Sequence, residues 1–255
     1  MITAARIKQI RSLAQKKFRK ELGLFIVEGE KAVSELLSHK IWEINHIYAL
    51  ETWLNKNAVP GNIPSDKVSE KELSRISSLT APNNVLAVVK IPEWDISKLN
   101  PTNDITLMLD NIQDPGNLGT IIRTADWFGI DNLICSENTV EVFNPKVIQA
   151  SMGSFMRVKV FYTTLKNYLE NLPEELPVMG AMLDGEDICK AEIPARGILI
   201  TGNESQGISP ELVKMITQKI RIPLFQKEGK TQLPESLNAG VATGVILSHL
   251  RKYKG

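Results

Sequence analysis

The sequence contains few cysteines and no long apolar run. Only two of its 255 residues are cysteines, Cys135 and Cys189, which lie far apart and lack CxxC spacing. This pattern indicates neither a disulfide framework nor a zinc site. No apolar run reaches the roughly 18 residues that cross a bilayer, and the first residues lack the apolar stretch of a secretory signal. We therefore expect a cytoplasmic protein that is neither membrane-spanning nor exported.

Three common cofactor and metal motifs are also absent. The sequence has no GxGxxG after a strand, no GxxxxGK[ST] and no HExxH. A Rossmann dinucleotide site, a P-loop and that class of zinc protease therefore lose their usual support. The three histidines, His39, His46 and His249, stand outside the loops described below and are interpreted as ordinary surface or core residues.

The charge is nearly balanced overall but not along the chain. Hydrophobic residues make up 43% and charged residues 23%, with a net charge of +1, as in an ordinary globular protein with a real core. Seven basic residues precede the first acidic one, Glu21; they are Arg6, Lys8, Arg11, Lys16, Lys17, Arg19 and Lys20. Such a block could follow a phosphate backbone, form a solvated helix face or belong to an organelle transit peptide.

Periodicity divides the chain into two parts. Residues 1 to about 90 mix helical and strand patterns, with helices predicted near 7–18, 32–37 and 69–77 and strands at 24–27, 44–49 and 85–89. A segment rich in proline and asparagine follows at 91–103. We therefore predict a smaller N-terminal α/β domain at 1–95 and a larger domain at 104–255.

The larger domain alternates strands with helices. Strands are predicted at 105–109, 132–135, 158–161, 178–183, 197–201 and 220–224, and helices at 117–128, 145–150, 165–169, 210–216 and 236–250. This alternation indicates an α/β fold with a parallel sheet covered on both faces. Ligands of such sheets bind beyond the carboxyl ends of the strands.

The loop after the first of these strands carries unusual residues. Asn117 stands where a helix should begin, and an N-cap role alone would explain it, because asparagine is a preferred cap. Arg123 follows in the apolar sequence IIRTA. Because burial of an unpaired guanidinium is costly, we expect a carboxylate or a ligand phosphate beside Arg123.

Two later loops complete the candidate site. In the loop at 201–210, Gly202 would let the backbone approach a ligand and Glu204 would lie near a helix N-terminus, although an ordinary turn would also explain this loop. In the third, Ser236 could cap the last helix. Asn238 is followed there by the small residues Ala239, Gly240 and Ala242, which predict close packing.

Together the three loops resemble the signature motifs of the SpoU-TrmH family of RNA ribose 2'-O-methyltransferases, in the SPOUT superfamily. The similar segments are NIQDPGNLGTIIRTADWFGI, ILITGNESQGIS and RIPLFQKEGKTQLPESLNAGVATGVIL, in the family's order, within residues 105–250. The segment KKFRKELGLFIVEGEKAVSELL resembles the small substrate-binding domain of many members, whose fold is similar to that of RNA-binding ribosomal proteins. This resemblance makes it less favourable to interpret the basic N-terminal block as a transit peptide.

The resemblance implies a fold, a methyl donor and a partner. It implies a trefoil-knotted parallel-sheet domain, whereas the residues alone would predict an open doubly wound sheet, because knots are nearly absent among folds. It also implies S-adenosylmethionine as donor, no metal, and a homodimer in which a second subunit completes the site. By motif position, the implied donor-binding residues are Leu183, Gly202, Ile222, Leu224 and Leu237.

The same carry-over gives the catalytic and RNA-contacting set, which comprises Asn117, Arg123, Glu204, Ser236 and Asn238. In the family the arginine is proposed to activate the ribose hydroxyl. A guanidinium stays protonated in proteins, so we favour Arg123 as a residue that binds the RNA phosphate and orients the hydroxyl. Two departures stand out: Ala239 and Gly240 occur where many members have valine and serine, and the segment 226–234 is longer and more charged than in compact members.

The expected function is methylation of a ribose 2'-hydroxyl in structured RNA. Ribosomal RNA is favoured over transfer RNA because of the appended N-terminal domain. The alternatives are a tRNA 2'-O-methyltransferase, an RNA-binding protein of the same fold without catalysis, and a base- or small-molecule methyltransferase. No motif names the nucleotide, because RNA recognition depends on shape and on splayed bases.

Overall fold

The secondary structure alternates between helices and strands along the whole of the described chain. The computed structural model describes residues 2–39, 41–225 and 235–251. Its α-helices are α1 (Ala4–Ser12), α2 (Lys16–Leu22), α3 (Glu30–Ser38), α4 (Glu51–Leu54), α5 (Glu70–Ile76), α6 (Pro115–Trp127), α7 (Pro145–Ser151), α8 (Leu165–Glu170), α9 (Pro210–Val213) and α10 (Ala239–Arg251). Its strands are β1 (Leu24–Glu28), β2 (Ile44–Ala49), β3 (Ser65–Lys67), β4 (Val85–Lys90), β5 (Ile105–Leu109), β6 (Asn132–Cys135), β7 (Lys159–Tyr162), β8 (Val178–Asp187), β9 (Gly197–Thr201) and β10 (Gln218–Arg221).

The first compact unit comprises Met1–Glu93 with Glu141–Met156. Its sheet has the order β1-β4-β2-β3, in which β2 and β3 are parallel and the other neighbours antiparallel. The apolar run of β4 is buried from Val85 to Val89, which is why it occupies an inner position. The sequence pattern did not predict helix α4 or strand β3. Strand β3 has three exposed residues and no apolar alternation, so it carries no strand pattern.

Aromatic packing joins the segment Glu141–Met156 to the rest of this unit. The ring of Phe25 on β1 lies 4.5 Å from that of Phe143 and 6.1 Å from that of Phe155, measured between centroids. Trp42 lies 5.5 Å from Phe155 in an edge-on arrangement. Aromatic pairs at such distances are stabilising beyond the area they bury. The predicted limits at 95 and 104 did not anticipate this excursion and, as functional boundaries, stay a prediction.

The N-terminal basic block is not uniform. Arg19 is only 1% exposed, and its Nε and Nη2 donate to Glu141 Oε2 at 3.1 and 2.5 Å while Nη1 donates to the carbonyl of Leu13 at 2.7 Å. A buried guanidinium requires this kind of pairing. Arg19 therefore belongs to the core of the unit, and the exposed basic side chains of α1 and α2 are Lys8, Arg11, Lys16, Lys17 and Lys20.

The second unit comprises Trp94–Val140 with Arg157–Gly255. Its six strands are all parallel, in the order β10-β8-β9-β5-β6-β7, as the alternation of strands and helices predicted. The chain runs outward from β5 through β6 to β7, then returns to the other side of β5 with β8, β9 and β10. The sheet therefore has a switch point between β5 and β9, where loops diverge and a crevice forms.

Several predicted boundaries need correction. Strand β10 ends at Arg221, so Ile222, Pro223 and Leu224 follow the strand instead of forming it. Helix α6 begins at Pro115 because Asp114 is its N-cap, and α10 begins at Ala239, three residues later than predicted. The predicted excursion at 226–234 lies outside the described residues.

Helices α6 and α10 pack closely where glycines replace larger residues. A Cβ atom on Gly240 would lie 2.8 Å from Cγ2 of Thr120, a distance that real contacts do not show, and one on Gly244 would lie 3.6 Å from Cγ2 of Thr124. The predicted close packing around residues 239–242 is thus a helix–helix contact. The trefoil knot implied by the family resemblance stays a prediction.

Candidate active site

A hydrogen-bonded joint is formed by one residue from each of the three predicted loops, Asn117, Glu204 and Asn238. The amide Nδ2 of Asn117 donates to Oε1 of Glu204, and Nδ2 of Asn238 donates to Oδ1 of Asn117 at 2.7 Å. These residues lie in the first turn of α6, in the loop after β9 and just before α10. The structure therefore brings together three of the five residues predicted as the catalytic set.

Asn117 is free to make this joint because another residue caps its helix. Asp114 is the N-cap of α6, and its Oδ1 accepts the N–H of Asn117 at 2.8 Å, while Pro115 occupies the first helical position. The prediction that Asn117 itself is the N-cap is therefore wrong. As the third helical residue, Asn117 can direct its side chain to the neighbouring loops.

Asn238 caps the last helix and closes the joint at the same time. Its Oδ1 accepts the N–H groups of Gly240 at 3.0 Å and Val241 at 3.3 Å, while its amide donates to Asn117. The predicted capping role of Ser236 is wrong, because α10 begins only at Ala239. Asparagine can do both because its carbonyl oxygen accepts while its amide nitrogen donates.

A tight turn holds Glu204 in place. Asn203 and Gly207 exchange backbone hydrogen bonds of 3.1 and 2.8 Å, and Oδ1 of Asn203 accepts the N–H groups of Ser205 and Gln206. A Cβ on Gly202 would collide with the backbone of Gly207. The turn folding back on itself therefore requires glycine at position 202, and the close approach of Gly202 to a ligand stays a prediction.

Hydrogen bonds also connect the loops that follow β5 and β9. Asn203 Nδ2 donates to the carbonyl of Asn111 at 3.0 Å, and Oδ2 of Asp110 accepts the N–H of Ser209 at 2.7 Å. Asn111 has a φ of 58°, a left-handed conformation that asparagine tolerates better than most residues. Glu204 lies next to the N-terminal turn of α6, through its hydrogen bond with Asn117.

A cavity of about 720 Å³ opens beside this joint. It is lined by all five residues predicted to bind the donor, namely Leu183, Gly202, Ile222, Leu224 and Leu237, and also by Glu204 and Ser236. The three leucine side chains are 77%, 56% and 46% exposed, in chain order. Large apolar side chains left open around a concave site are typical of ligand pockets. Direct binding of a donor by these residues stays a prediction.

Unpaired polar groups in the cavity wall suit a nucleoside-like ligand. Oγ1 of Thr201, a residue only 4% exposed, is buried without a hydrogen-bond partner among the described residues. The N–H groups of Ile222 and Leu224 find no backbone acceptor in the described part of the chain. A flat base needs an apolar slot with a few polar contacts. Sequence reasoning missed Thr201, whose position at the end of β9 was the available signal.

Arg123 stands apart from the joint. Its side chain is exposed, and it makes no hydrogen bond or ion pair with any described residue. The expected burial and the expected carboxylate partner are therefore wrong for the described chain, and a ligand phosphate beside Arg123 stays a prediction. Six helical positions separate Arg123 from Asn117, which turns the two side chains about 120° apart around α6. The apolar neighbours Ile121 and Ile122 are buried instead.

The described residues contain no group of three or more histidine, cysteine, aspartate or glutamate side chains that could hold a metal ion. Within the same residues, every helix is too short or too polar to cross a membrane.

At the rim of the cavity, Lys219 Nζ donates to Asp184 Oδ2 at 2.8 Å, and this hydrogen bond lowers the pKa of Asp184 below its usual value.

Comparison with known proteins gives matches over both units. Residues 104–248 match the model of the SpoU rRNA Methylase family, and residues 4–87 match the model of an MRM3-like substrate binding domain. The chain is 31% identical over 251 residues to the 23S rRNA (guanosine(2553)-2'-O)-methyltransferase RlmP of Bacillus subtilis, with 96% of each chain covered.

Two solved structures superpose on 99% of this chain. A TrmH-family protein from Porphyromonas gingivalis superposes with a TM-score of 0.87 at 35% identity, covering 99% of both chains. An rRNA methyltransferase from Sinorhizobium meliloti with bound AdoMet superposes with a TM-score of 0.85 at 28% identity, covering 99% of this chain and 97% of the other.

Proposed function

The chain belongs to the SpoU rRNA methylase family, and from that premise we propose that it methylates a ribose 2'-hydroxyl of ribosomal RNA at the joint of Asn117, Glu204 and Asn238. The methyl donor is S-adenosylmethionine, as in the donor-bound relative. The observation that carries the proposal is that one polar residue from each signature loop meets beside the cavity of about 720 Å³.

The donor-binding residues would hold the donor's adenosine and methionine parts within the cavity. Leu183, Leu224 and Leu237 supply the apolar walls, and the buried hydroxyl of Thr201 and the N–H of Ile222 supply polar contacts. When bound, the donor would supply a methyl group on a sulfonium: the ribose oxygen would bond to the methyl carbon as the carbon–sulfur bond breaks, and the hydroxyl proton would pass to solvent. The protein has to align the oxygen with the carbon and the sulfur.

The joint would fix the geometry on the ribose side. Glu204 lines the cavity and accepts a hydrogen bond from Asn117, which couples the loop after β9 to α6. Asn238 locks the start of α10 to the same amide. Ser236 lies in the cavity wall, where its hydroxyl can contact the ribose or the donor. Rigid placement of this kind supports catalysis by orientation.

Arg123 would act on the RNA of the partner's site in a homodimer. It is exposed, unpaired among the described residues and turned away from the joint of its own chain. The same helix pair leaves apolar side chains open: Trp127 is 84% exposed, Val241 51% and Val245 41%. Exposed apolar residues on packed helices favour an interface. In the dimer, Arg123 binds an RNA phosphate and orients the hydroxyl.

The first unit would bind RNA outside the reaction site. The match to a substrate-binding domain covers residues 4–87, and the exposed lysines of α2, Lys16, Lys17 and Lys20, suit a phosphate backbone. The ribosomal substrates in the relatives' names favour ribosomal over transfer RNA. A cytoplasmic location accords with such a substrate.

The test is transfer of labelled methyl groups from S-adenosylmethionine to purified ribosomal RNA, transfer RNA and ribosomal subunits from a strain that lacks this gene. We expect label in ribosomal RNA or in subunits and a large loss with Arg123→Ala. Label only in transfer RNA would establish the alternative substrate. Donor binding without transfer to any of the three would support an RNA-binding protein without catalysis.

A further inference from the structure

One side chain in the wall of the cavity of about 720 Å³ carries a polar atom that its surroundings do not satisfy. Thr201, the last residue of β9, lines this cavity and is only 4% exposed. Its Oγ1 is buried and has no hydrogen-bond partner among the described residues. Its backbone carbonyl, by contrast, accepts the N–H of Asp110 at 2.9 Å. The hydroxyl is therefore the unsatisfied part of this residue.

The strand gives no reason for a hydroxyl at this position. All five residues of β9 are buried, and the three before Thr201, at 198–200, are apolar. Valine has almost the same shape as threonine, is favoured in buried strands and has no polar atom to satisfy. Because a buried hydroxyl without a partner is costly, packing alone would favour valine at position 201.

Threonine is able to turn this hydroxyl toward a ligand without a movement of the strand. The hydroxyl and the methyl group share Cβ, so a rotation of about 120° around the Cα–Cβ bond exchanges their staggered positions. In the structure Oγ1 is buried although Thr201 lines the cavity. A ligand that offers a polar atom at this wall would therefore form the hydrogen bond that the free protein lacks.

The burial of Thr201 indicates which part of the donor it would meet. Leu183 and Leu224 line the cavity with exposed side chains, whereas Thr201, Ile220 and Ile246 belong to its buried lining. The uncharged adenosine suits the buried part, because a sulfonium and a charged methionine end are costly to remove from water. Adenosine also presents ring nitrogens, an amino group and hydroxyls, and a threonine hydroxyl both donates and accepts.

We propose that Thr201 binds the adenosine part of S-adenosylmethionine through its hydroxyl, and that this hydroxyl makes the free protein less stable than valine would. The proposal rests on the function given above, which places the donor in this cavity. One atom then has two opposite effects: it lowers stability in the free protein and raises affinity for the donor. A side chain with a purely structural role would not combine these effects.

The test compares Thr201→Val, which replaces the hydroxyl by a methyl group, with Thr201→Ser, which retains the hydroxyl. The control is Thr243→Val, because Thr243 is also buried but donates to the carbonyl of Ala239 at 2.8 Å and does not line the cavity. Calorimetry gives the affinity of each full-length variant for S-adenosylmethionine and for S-adenosylhomocysteine, which has the same adenosine but no sulfonium. Urea unfolding without either compound gives the stability.

We expect Thr201→Val to bind both compounds about tenfold more weakly than the wild type, because a polar group of the adenosine loses its partner. The same variant should unfold at a higher urea concentration than the wild type, since it no longer buries an unsatisfied hydroxyl. Thr201→Ser should bind both compounds with nearly the wild-type affinity. Thr243→Val should bind them as the wild type does and should gain no stability.

Unchanged affinity of Thr201→Val for both compounds, or a loss for S-adenosylmethionine alone, would overturn the assignment to adenosine. A lower urea midpoint for Thr201→Val would show that the hydroxyl is satisfied in the free protein and would also overturn the inference. The proposed function fails separately: a wild type that binds the donor but methylates no RNA ribose would overturn it, while the affinities of Thr201→Val would still decide the role of Thr201. A wild type that binds neither compound would overturn both.

Discussion

Asn117 and Glu204 are 87 positions apart in the chain, yet the amide of the first donates to the carboxylate of the second. Asn117 belongs to the first turn of α6 and Glu204 to the turn after β9. This contact couples two of the three loops, and the 2.7 Å hydrogen bond from Asn238 adds the third. Hydrogen bonds therefore link all three loops at the place where we propose that methyl transfer occurs.

Replacing Asn117 by aspartate tests this coupling. Asn117→Asp removes the donor to Glu204 and sets two carboxylates against each other, which is destabilising. We expect the rate of methyl transfer to fall by about 10- to 100-fold, because misplacement of about 1 Å can cost that much. Donor affinity should be retained, since Asn117 does not line the cavity of about 720 Å³ in which we propose that the donor binds. The control Asn171→Asp, an exposed residue at the C-terminal end of α8, should transfer at the wild-type rate. An equally active Asn117→Asp would contradict the coupling.

Co-expression of two inactive variants tests the composite site. If Arg123 serves the partner's site, a mixed dimer of Arg123→Ala and Glu204→Ala chains contains one intact site, formed by Glu204 of one protomer and Arg123 of the other. We expect each variant to be inactive alone and the purified mixed dimer to recover about half of the wild-type rate. A mixed dimer as inactive as its parents would place Arg123 and Glu204 of one chain in the same site.

The packing of α6 against α10 gives a stability prediction. Gly240→Ala places a Cβ 2.8 Å from Cγ2 of Thr120, and overpacking of this kind costs about 1–3 kcal/mol. We expect a lower urea midpoint for Gly240→Ala and recovery of most of the loss when Thr120→Ser removes the opposing methyl group. If Gly240→Ala unfolds at the wild-type urea concentration, the two helices pack less closely than described.

The capping box of α5 gives a pH prediction. Glu72 accepts from the N–H and hydroxyl of Ser69 at 3.0 and 2.8 Å and from the N–H of Ile2 at 2.9 Å. These hydrogen bonds, the one from the backbone of Ser69 first, lower the pKa of Glu72 to about 2. Because the folded pKa lies below the unfolded one of about 4.3, the stabilisation is present above that value and is lost as the pH falls toward 2.

We therefore expect Glu72→Gln to unfold at lower urea than the wild type at pH 7, with the difference shrinking between pH 5 and pH 2.5. Glu70→Gln, in the same turn but without such partners among the described residues, is the matched control. A difference between wild type and Glu72→Gln that stays constant over this pH range would argue against the capping box as its origin.

The sequence was sufficient for the parallel sheet and for the loops that carry the site. Strands β5, β6 and β9 occupy the predicted residues, because short, continuously apolar runs bounded by turn residues leave little choice. Asn117 and Glu204 could be expected near each other, since the carboxyl ends of parallel strands lie at one edge of a sheet.

The features that the sequence did not predict depend on contacts between residues that lie far apart in the chain. The burial of Arg19 follows from Glu141, 122 positions away, so the local basic run could not reveal it. The exposure of Arg123 depends on which face of α6 packs inward. The apolar residues on both sides of it in the segment IIRTA are typical of a buried helix face, so the sequence pattern favoured burial. The cap of α10 depends on where the helix begins, and both Ser236 and Asn238 are good caps by type.

The most direct measurement is the position of the transferred methyl group. Ribosomal RNA or ribosomal subunits methylated by the wild type with labelled S-adenosylmethionine are digested to nucleosides and separated by mass spectrometry, with Arg123→Ala in parallel. We expect label on the ribose, as a 2'-O-methylnucleoside that the variant does not form. Label on a base, or a labelled ribose formed equally well by Arg123→Ala, would contradict the proposed ribose methylation.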